Sequence, residues 1–252
     1  ELIGSMIIRQ AQSNLSYSRI TDFIEGQPEA LLAIELVADS EKELAHKFDL
    51  LKEKINGGGW GYSLVWMTEP SDQEKVWDVR KAGLGLMMNV PGDAKPLPFV
   101  EDTAVSPHVL PEFVRRFDSI VRKHGTEAGY YGHASVGCLH IRPLINLKKQ
   151  DGIDRMVAIS DEISDLVLEF GGSMSGEHGD GLVRSGYNEK MFGSQIYQAF
   201  RDVKSTFDPK RIMNPGKIVD SPPMTENLRY GTTYETLSPQ TGFTFSEEGN
   251  FA

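Results

Sequence analysis

Six histidines occur in the chain, and three of them lie in glycine-rich stretches. His133 and His140 stand at the two ends of HASVGCLH, and Glu177 and His178 are neighbours in SGEHGDG. An offset of seven would put His133 and His140 on opposite faces of one uninterrupted strand. Gly132 and Gly137 argue against a helix between them. A turn through Ala134, Ser135, Val136 and Gly137 would let the two imidazoles converge. A carboxylate from Glu177 would then complete a set of two histidines and one acid. Borderline divalent ions such as zinc, manganese or cobalt accept that set and keep positions open for water or substrate. In extended chain Glu177 and His178 point opposite ways, so Glu177 could face an ion while His178 faces a substrate. An unperturbed imidazole titrates at about 6.5, which suits a general base near neutral pH. The plainer alternative is that these histidines cap turns and bind nothing. His46, His108 and His124 sit among charged neighbours in helical segments and read as solvated surface residues. Cys138 reads as a small buried side chain, since no activating neighbour can be argued.

These loops need elements to hold them. Residues 1–28 read as a helix followed by a polar loop, and residues 29–38 (EALLAIELVA) as a short buried strand. Leu44, Phe48, Leu51 and Ile55 share one helical face. Ser40 with Glu43 forms a capping-box pattern at the start of that helix. Gly57, Gly58 and Gly59 read as its C-cap and turn rather than as a phosphate loop, because no GKS or GKT follows. Strands are expected over 61–67 and 98–105, and broken strand-like segments over 127–143. Helices are expected over 70–88, 107–124, 152–170 and 188–206. The apolar stripes are Phe113, Phe117, Ile120 and Val121; then Met156, Ile159, Ile163, Leu166, Val167 and Phe170; then Ile196, Phe200, Val203 and Phe207. Such stripes read as core. Strands alternating with helices predict an α+β or α/β layer. Periodicity stops after Asp208 and Pro209, and residues 221–252 read as an extended tail or linker.

Composition narrows the function classes. The chain has 252 residues, with 26 Lys and Arg against 36 Asp and Glu, a formal charge of −10. That acidity argues against nucleic acid as a partner, because phosphate binding needs a basic face. No apolar run approaches the roughly 20 residues of a membrane span, and no signal peptide is read at the start. One cysteine excludes an internal disulfide and fits a reducing compartment. Gly176, Gly179 and Gly181 have the wrong spacing for a strand–GxGxxG–helix unit, so the chain carries no dinucleotide fingerprint of its own.

Taken together, EALLAIEL, WDVRK, GHASVGCLH, SGEHGDG and FDPKRIMNPGKIV resemble the C-terminal lobe of the FAD-linked oxidases that act on 2-hydroxy acids. That family includes the D-lactate, D-2-hydroxyglutarate and glycolate dehydrogenases. The likeness covers about residues 1–220. It implies an α+β fold with an antiparallel sheet, helices packed on one side, of duplicated ferredoxin-like type. It implies oxidation of a 2-hydroxy acid to the 2-oxo acid, with hydride passing to FAD held by an N-terminal lobe of the same polypeptide. His133, His140 and Glu177 would be ligands of a divalent metal, zinc or manganese. His178 would take the hydroxyl proton. Arg80 and Lys95 would bind the substrate carboxylate, and Asn214 would lie near the flavin.

The chain departs from the family pattern in places. GHAGDGNLH is frequent where this chain has Ser135, Val136, Gly137 and Cys138. Arg142 stands where asparagine is frequent, and Leu84 where threonine is. These changes bear on the size and polarity of the substrate. The variant resembles a longer subfamily that continues into an iron–sulfur electron acceptor. A cytoplasmic location, or a peripheral one at the inner membrane, is expected. Without the FAD lobe the chain is expected to be inactive. Two other classes remain open: a metal-dependent hydrolase using His133, His140 and Glu177, and an interaction module with a structural metal.

Overall fold

The structure is a computed structural model that describes residues 1–235 and residue 242. It divides into two compact units, Glu1–Leu86 and Met87–Ala252.

The first unit opens with a three-residue strand, β1 (Leu2–Gly4), which pairs antiparallel with β2 (Ala30–Leu32). Between them α1 (Ser5–Ser13) buries Met6, Ile7, Ile8 and Ala11. The expected strand over 29–38 is thus only three residues long. It is also not buried, because Leu32, Ile34 and Val37 are exposed. Helix α2 (Glu41–Gly58) begins as its capping box predicts: Ser40 Oγ accepts the Glu43 N–H at 3.3 Å. The reciprocal arm is shifted by one residue, since Glu43 Oε2 accepts from Asp39 rather than Ser40. Gly59 closes the helix in the left-handed conformation, φ 63°, as a C-cap. No strand forms over 61–67. There Tyr62 and Ser63 bond to Glu25, and Trp66 packs edge-on against Phe48 of α2, ring centroids 4.9 Å apart. The alternation in that stretch therefore serves side-chain contacts, not a ladder. Helix α3 (Pro70–Met88) buries Val79 and Leu86.

The second unit holds the histidine and acid motifs. Its sheet contains β3 (Lys95–Pro96), β4 (Asp102–Ala104), β5 (Ala128–His133) and β6 (Cys138–Ile145). Every residue of β6 is buried. It pairs antiparallel with β5, with β4 over Cys138–His140, and with β3 over Leu144 and Ile145. Helices α4 (Leu110–Lys123) and α5 (Gln150–Glu169) pack together. Phe113 meets Phe117 and Phe170 edge-on at 5.9 and 5.6 Å, and Arg116 Nη2 bonds Glu169 Oε2 at 2.6 Å. The buried stripes of α4 and α5 include Phe113, Phe117, Val121, Met156, Ile159, Ile163, Leu166 and Val167, as the 3.6-residue period predicts. The protein is therefore α+β, with an antiparallel sheet and helices packed on it.

A short helix α6 (Gly181–Arg184) leads into α7 (Asn188–Phe207), which is broken at Gly193 (φ 78°, ψ 160°). The α7 stripe departs from expectation. Ile196, Val203 and Phe207 are exposed, and the buried residues of α7 are Asn188 and Tyr197. Residues 221–235 contain turns but no helix or strand. The rest of the expected tail, 236–241 and 243–252, lies outside the described residues. No described helix is long and apolar enough to cross a membrane.

Candidate active site

The β5–β6 hairpin brings His133 and His140 together. The pairing sets Tyr131 opposite His140 and His133 opposite Cys138. Residues alternate across a strand, so 131 and 133, and 138 and 140, lie on one face. The chain reverses in a 3₁₀ turn, Ala134–Val136, closed by Gly137 at φ 76°. A Cβ on Gly137 would lie 1.8 Å from the Val105 carbonyl oxygen, so only glycine fits there. The turn thus undoes the odd offset between the two histidines, and their ring centroids lie 5.4 Å apart.

Strand β4 supplies the other half. Asp102 pairs with His140 across the ladder, and it is fully buried. The 173–176 segment runs beside β4, with Ala104 and Ser173 exchanging backbone bonds and Gly176 N–H donating to Asp102 O at 2.7 Å. A Cβ on Gly176 would meet Cys138 Sγ at 2.9 Å, which is why the loop approaches so closely. The Asp102 carboxylate then gathers the start of the EHG turn. It accepts the N–H of His178 at 2.8 Å, the N–H of Glu177 at 3.1 Å and the Ser175 hydroxyl at 3.0 Å. Burial acts to push this carboxyl up, but those three donors more than offset it, and it sits below the usual carboxylate range. Arg184, itself buried, ties the far end of the loop by donating to the carbonyls of Gly179 and Pro98.

Four of the side chains singled out in the sequence converge here. Glu177 Oε1 lies 3.2 Å from His133 Nε2, 3.0 Å from His140 Nε2 and 3.5 Å from His178 Nε2. The rings of His140 and His178 stack at 4.7 Å with an interplanar angle of 10°. Ligand atoms of Asp102, His140, Glu177 and His178 all lie within 4.8 Å of one another. Burial, and then the neighbouring His178, push His140 down to about 4. It is therefore neutral at physiological pH, with a lone pair available to a cation, and its buried Nδ1 has no hydrogen-bond partner. Two imidazoles and a carboxylate around one point form a donor set that fits a borderline divalent ion. Cys138, beside them, is raised to about 12 by burial and by the Asp102 charge, so it is no nucleophile.

The remaining expected residues lie elsewhere. Arg80 bonds Glu1 Oε2 at 2.8 Å within the first unit. Lys95 donates to the Val90 carbonyl at 2.6 Å. Asn214 occupies an exposed turn at φ 48° and accepts from Lys217 at 3.2 Å. That turn is held by Asp208, which accepts the N–H groups of Ile212 and Met213 at 2.9 and 3.0 Å. Glu101, Asp102 and Arg184 did not stand out in the sequence. The signal for the first two was present: adjacent acids inside the apolar run PFVEDTAV are costly to bury unless they are used.

This fold has a family. The FAD linked oxidases, C-terminal domain, match residues 5–218, and the chain belongs to that family. It is 32% identical to a D-2-hydroxyglutarate dehydrogenase of Haemophilus influenzae over 95% of the chain and 24% of that protein. A D-2-hydroxyglutarate dehydrogenase of Escherichia coli is 31% identical over 95% of the chain and 25% of its own length. A D-lactate dehydrogenase of Archaeoglobus fulgidus is 33% identical over 60% of the chain and 32% of its length. The chain thus spans about a quarter of the length of the first two relatives.

Proposed function

We propose that this chain is the substrate-binding and metal-binding lobe of a flavin-dependent dehydrogenase that oxidises a 2-hydroxy acid to the 2-oxo acid. The observation that carries the reading is the meeting of His133, His140 and His178 around one oxygen of Glu177. His133, His140 and Glu177 hold the divalent ion, zinc or manganese. FAD belongs to the remainder of the polypeptide. The chemistry these two groups supply when bound is Lewis acidity at the hydroxyl oxygen and a two-electron acceptor for the Cα hydrogen.

The chain's own residues do the rest. His178 takes the hydroxyl proton, a contribution worth roughly 10²–10⁴ in rate. Lys95 binds the substrate carboxylate. It now donates to the Val90 carbonyl, so it exchanges one charge-assisted bond for another. Asn214 would lie near the flavin. An iron–sulfur centre, where the polypeptide carries one, would supply the electron acceptor.

The test uses the full-length flavoprotein, mixed anaerobically with D-2-hydroxyglutarate, D-lactate or glycolate. One of them bleaches the flavin, and His178→Ala slows that step by about 10²–10⁴. The His133→Ala, His140→Ala double variant loses its metal; equal metal content in the two proteins would overturn the site. The 252-residue chain alone, given the same acids and a dye acceptor, shows no turnover.

A further inference from the structure

Behind His178 lies a buried ion pair that the reading above leaves idle. Glu101 is 6% exposed and Arg142 is 7% exposed. Glu101 precedes β4 and is fixed there, because its carbonyl accepts the Ile141 N–H at 3.0 Å. Its two carboxylate oxygens have different partners. Oε2 pairs with Arg142 Nη2, and Oε1 lies 3.2 Å from His178 Nδ1. We infer that the Arg142–Glu101 pair is a positioning device for His178, which fixes both the orientation and the tautomer of its ring; the inference rests on the reading of His178 as proton acceptor.

The chemistry runs from the buried end outward. A guanidinium can only donate, and it keeps its charge at any working pH. The Glu101 carboxylate, paired with that guanidinium through Oε2, offers Oε1 to the ring as an acceptor. The proton between Glu101 and the His178 ring therefore sits on Nδ1. That leaves Nε2 with its lone pair, on the side that faces Glu177 Oε1 at 3.5 Å. Asp102 cannot take over this task. Its Oδ1 is 3.8 Å from His178 Nδ1, and the carboxylate already accepts two backbone N–H groups and the Ser175 hydroxyl. Stacking on His140 holds the ring plane but does not choose which nitrogen carries the proton. Two charges this deeply buried are expensive, and a well-packed apolar pair of similar volume is often at least as stable. A role beyond stability accounts for their presence. Carboxylates that orient a histidine from behind recur at metal and nucleophile sites, where their loss costs about 10–100-fold.

The experiment compares Glu101→Gln, Glu101→Leu and the double variant Glu101→Leu, Arg142→Met in the full-length flavoprotein. The readouts are the flavin reduction rate at saturating D-2-hydroxyglutarate, D-lactate or glycolate, the substrate dissociation constant, metal content, melting temperature and the crystallographic orientation of the His178 ring. Glu101→Gln keeps an acceptor for Nδ1 but loses the charge, and reduction slows less than in Glu101→Leu. Glu101→Leu slows by about 10–100-fold and also melts lower, because Arg142 is left unpaired. The double variant recovers the melting temperature but not the rate, with substrate dissociation constant and metal content within about twofold of wild type and the His178 ring turned from its stack on His140. Recovery of the rate together with stability would show the pair to be structural only and would overturn the inference. If Glu101→Leu fails to fold, Glu101→Gln and the double variant carry the same comparison. If His178→Ala reduces its flavin normally, or no acid reduces the wild-type flavin, the functional reading fails and this inference with it. A slow His178→Ala beside a fast double variant removes the inference alone.

Discussion

Asp102 and His178 are joined through the backbone: the His178 N–H donates to Asp102 Oδ2 at 2.8 Å, from a residue 76 positions further along the chain. A buried strand acid thereby sets where the His178 ring begins. Asp102→Ala would strip the acceptor from two N–H groups and the Ser175 hydroxyl and leave Arg184 without its nearby charge, 3.9 Å away. Loss of about 2–4 kcal/mol is expected, with loss of metal. Denaturant unfolding and metal analysis check both. Wild-type values in each would mean that the loop is held by something else.

His140 should give the metal-free chain an acid-side weakness. The folded imidazole titrates near about 4, and the unfolded one near about 6.5. Between those values the unfolded state binds more protons, so stability rises with pH there. It is fully present above about 6.5, falls as pH drops towards 4, and levels off below that. The expected loss is of order 3 kcal/mol. Unfolding free energies measured across this window should show the slope in wild type and lack it in His140→Gln.

Gly137→Ala should prevent the hairpin from closing. Its φ of 76° and the 1.8 Å approach to the Val105 carbonyl oxygen leave no room for a methyl group. A cost of roughly 3 kcal/mol or more is expected from strain and overpacking together. The melting temperature of the variant measures it, and a stable variant with metal still bound would refute the account of the turn.

The two kinds of apolar stripe should respond differently. Ile159 is fully buried in α5, and Ile159→Ala is expected to cost about 2–5 kcal/mol. Val203 is 59% exposed and Phe207 76% exposed on α7, so alanine there should stay within about 0.5 kcal/mol. Equal costs in chemical denaturation of this chain would show that α7 is covered after all.

Much of this was open to inspection in the amino-acid order, for reasons that differ by element. The stripes of α4 and α5 were readable because their period matches a helix and both helices pack on the sheet. The same period in α7 gave the helix but not its surroundings, since a repeat says nothing about what lies opposite. Residues 61–67 alternate as a strand would, yet no partner strand forms there, and Trp66 uses the pattern to reach Phe48. The meeting of His133, His140, Glu177 and His178 was legible from residue type and flanking glycines, because a turn closed by Gly137 undoes the odd offset between the two histidines. The pairing of Glu101 with Arg142 was not, because it depends on strand order, which joins positions 41 apart. No local pattern carries that information.

Asp102 also ties the fate of the cluster to that of the sheet. The carboxylate that gathers the EHG turn belongs to a strand laddered onto β6, the fully buried strand of its unit. Segments that share such bonds open as one cooperative block rather than fraying separately. Heat would therefore dismantle scaffold and histidine cluster in a single step, and no intermediate that keeps the sheet but scatters the cluster would accumulate along the way.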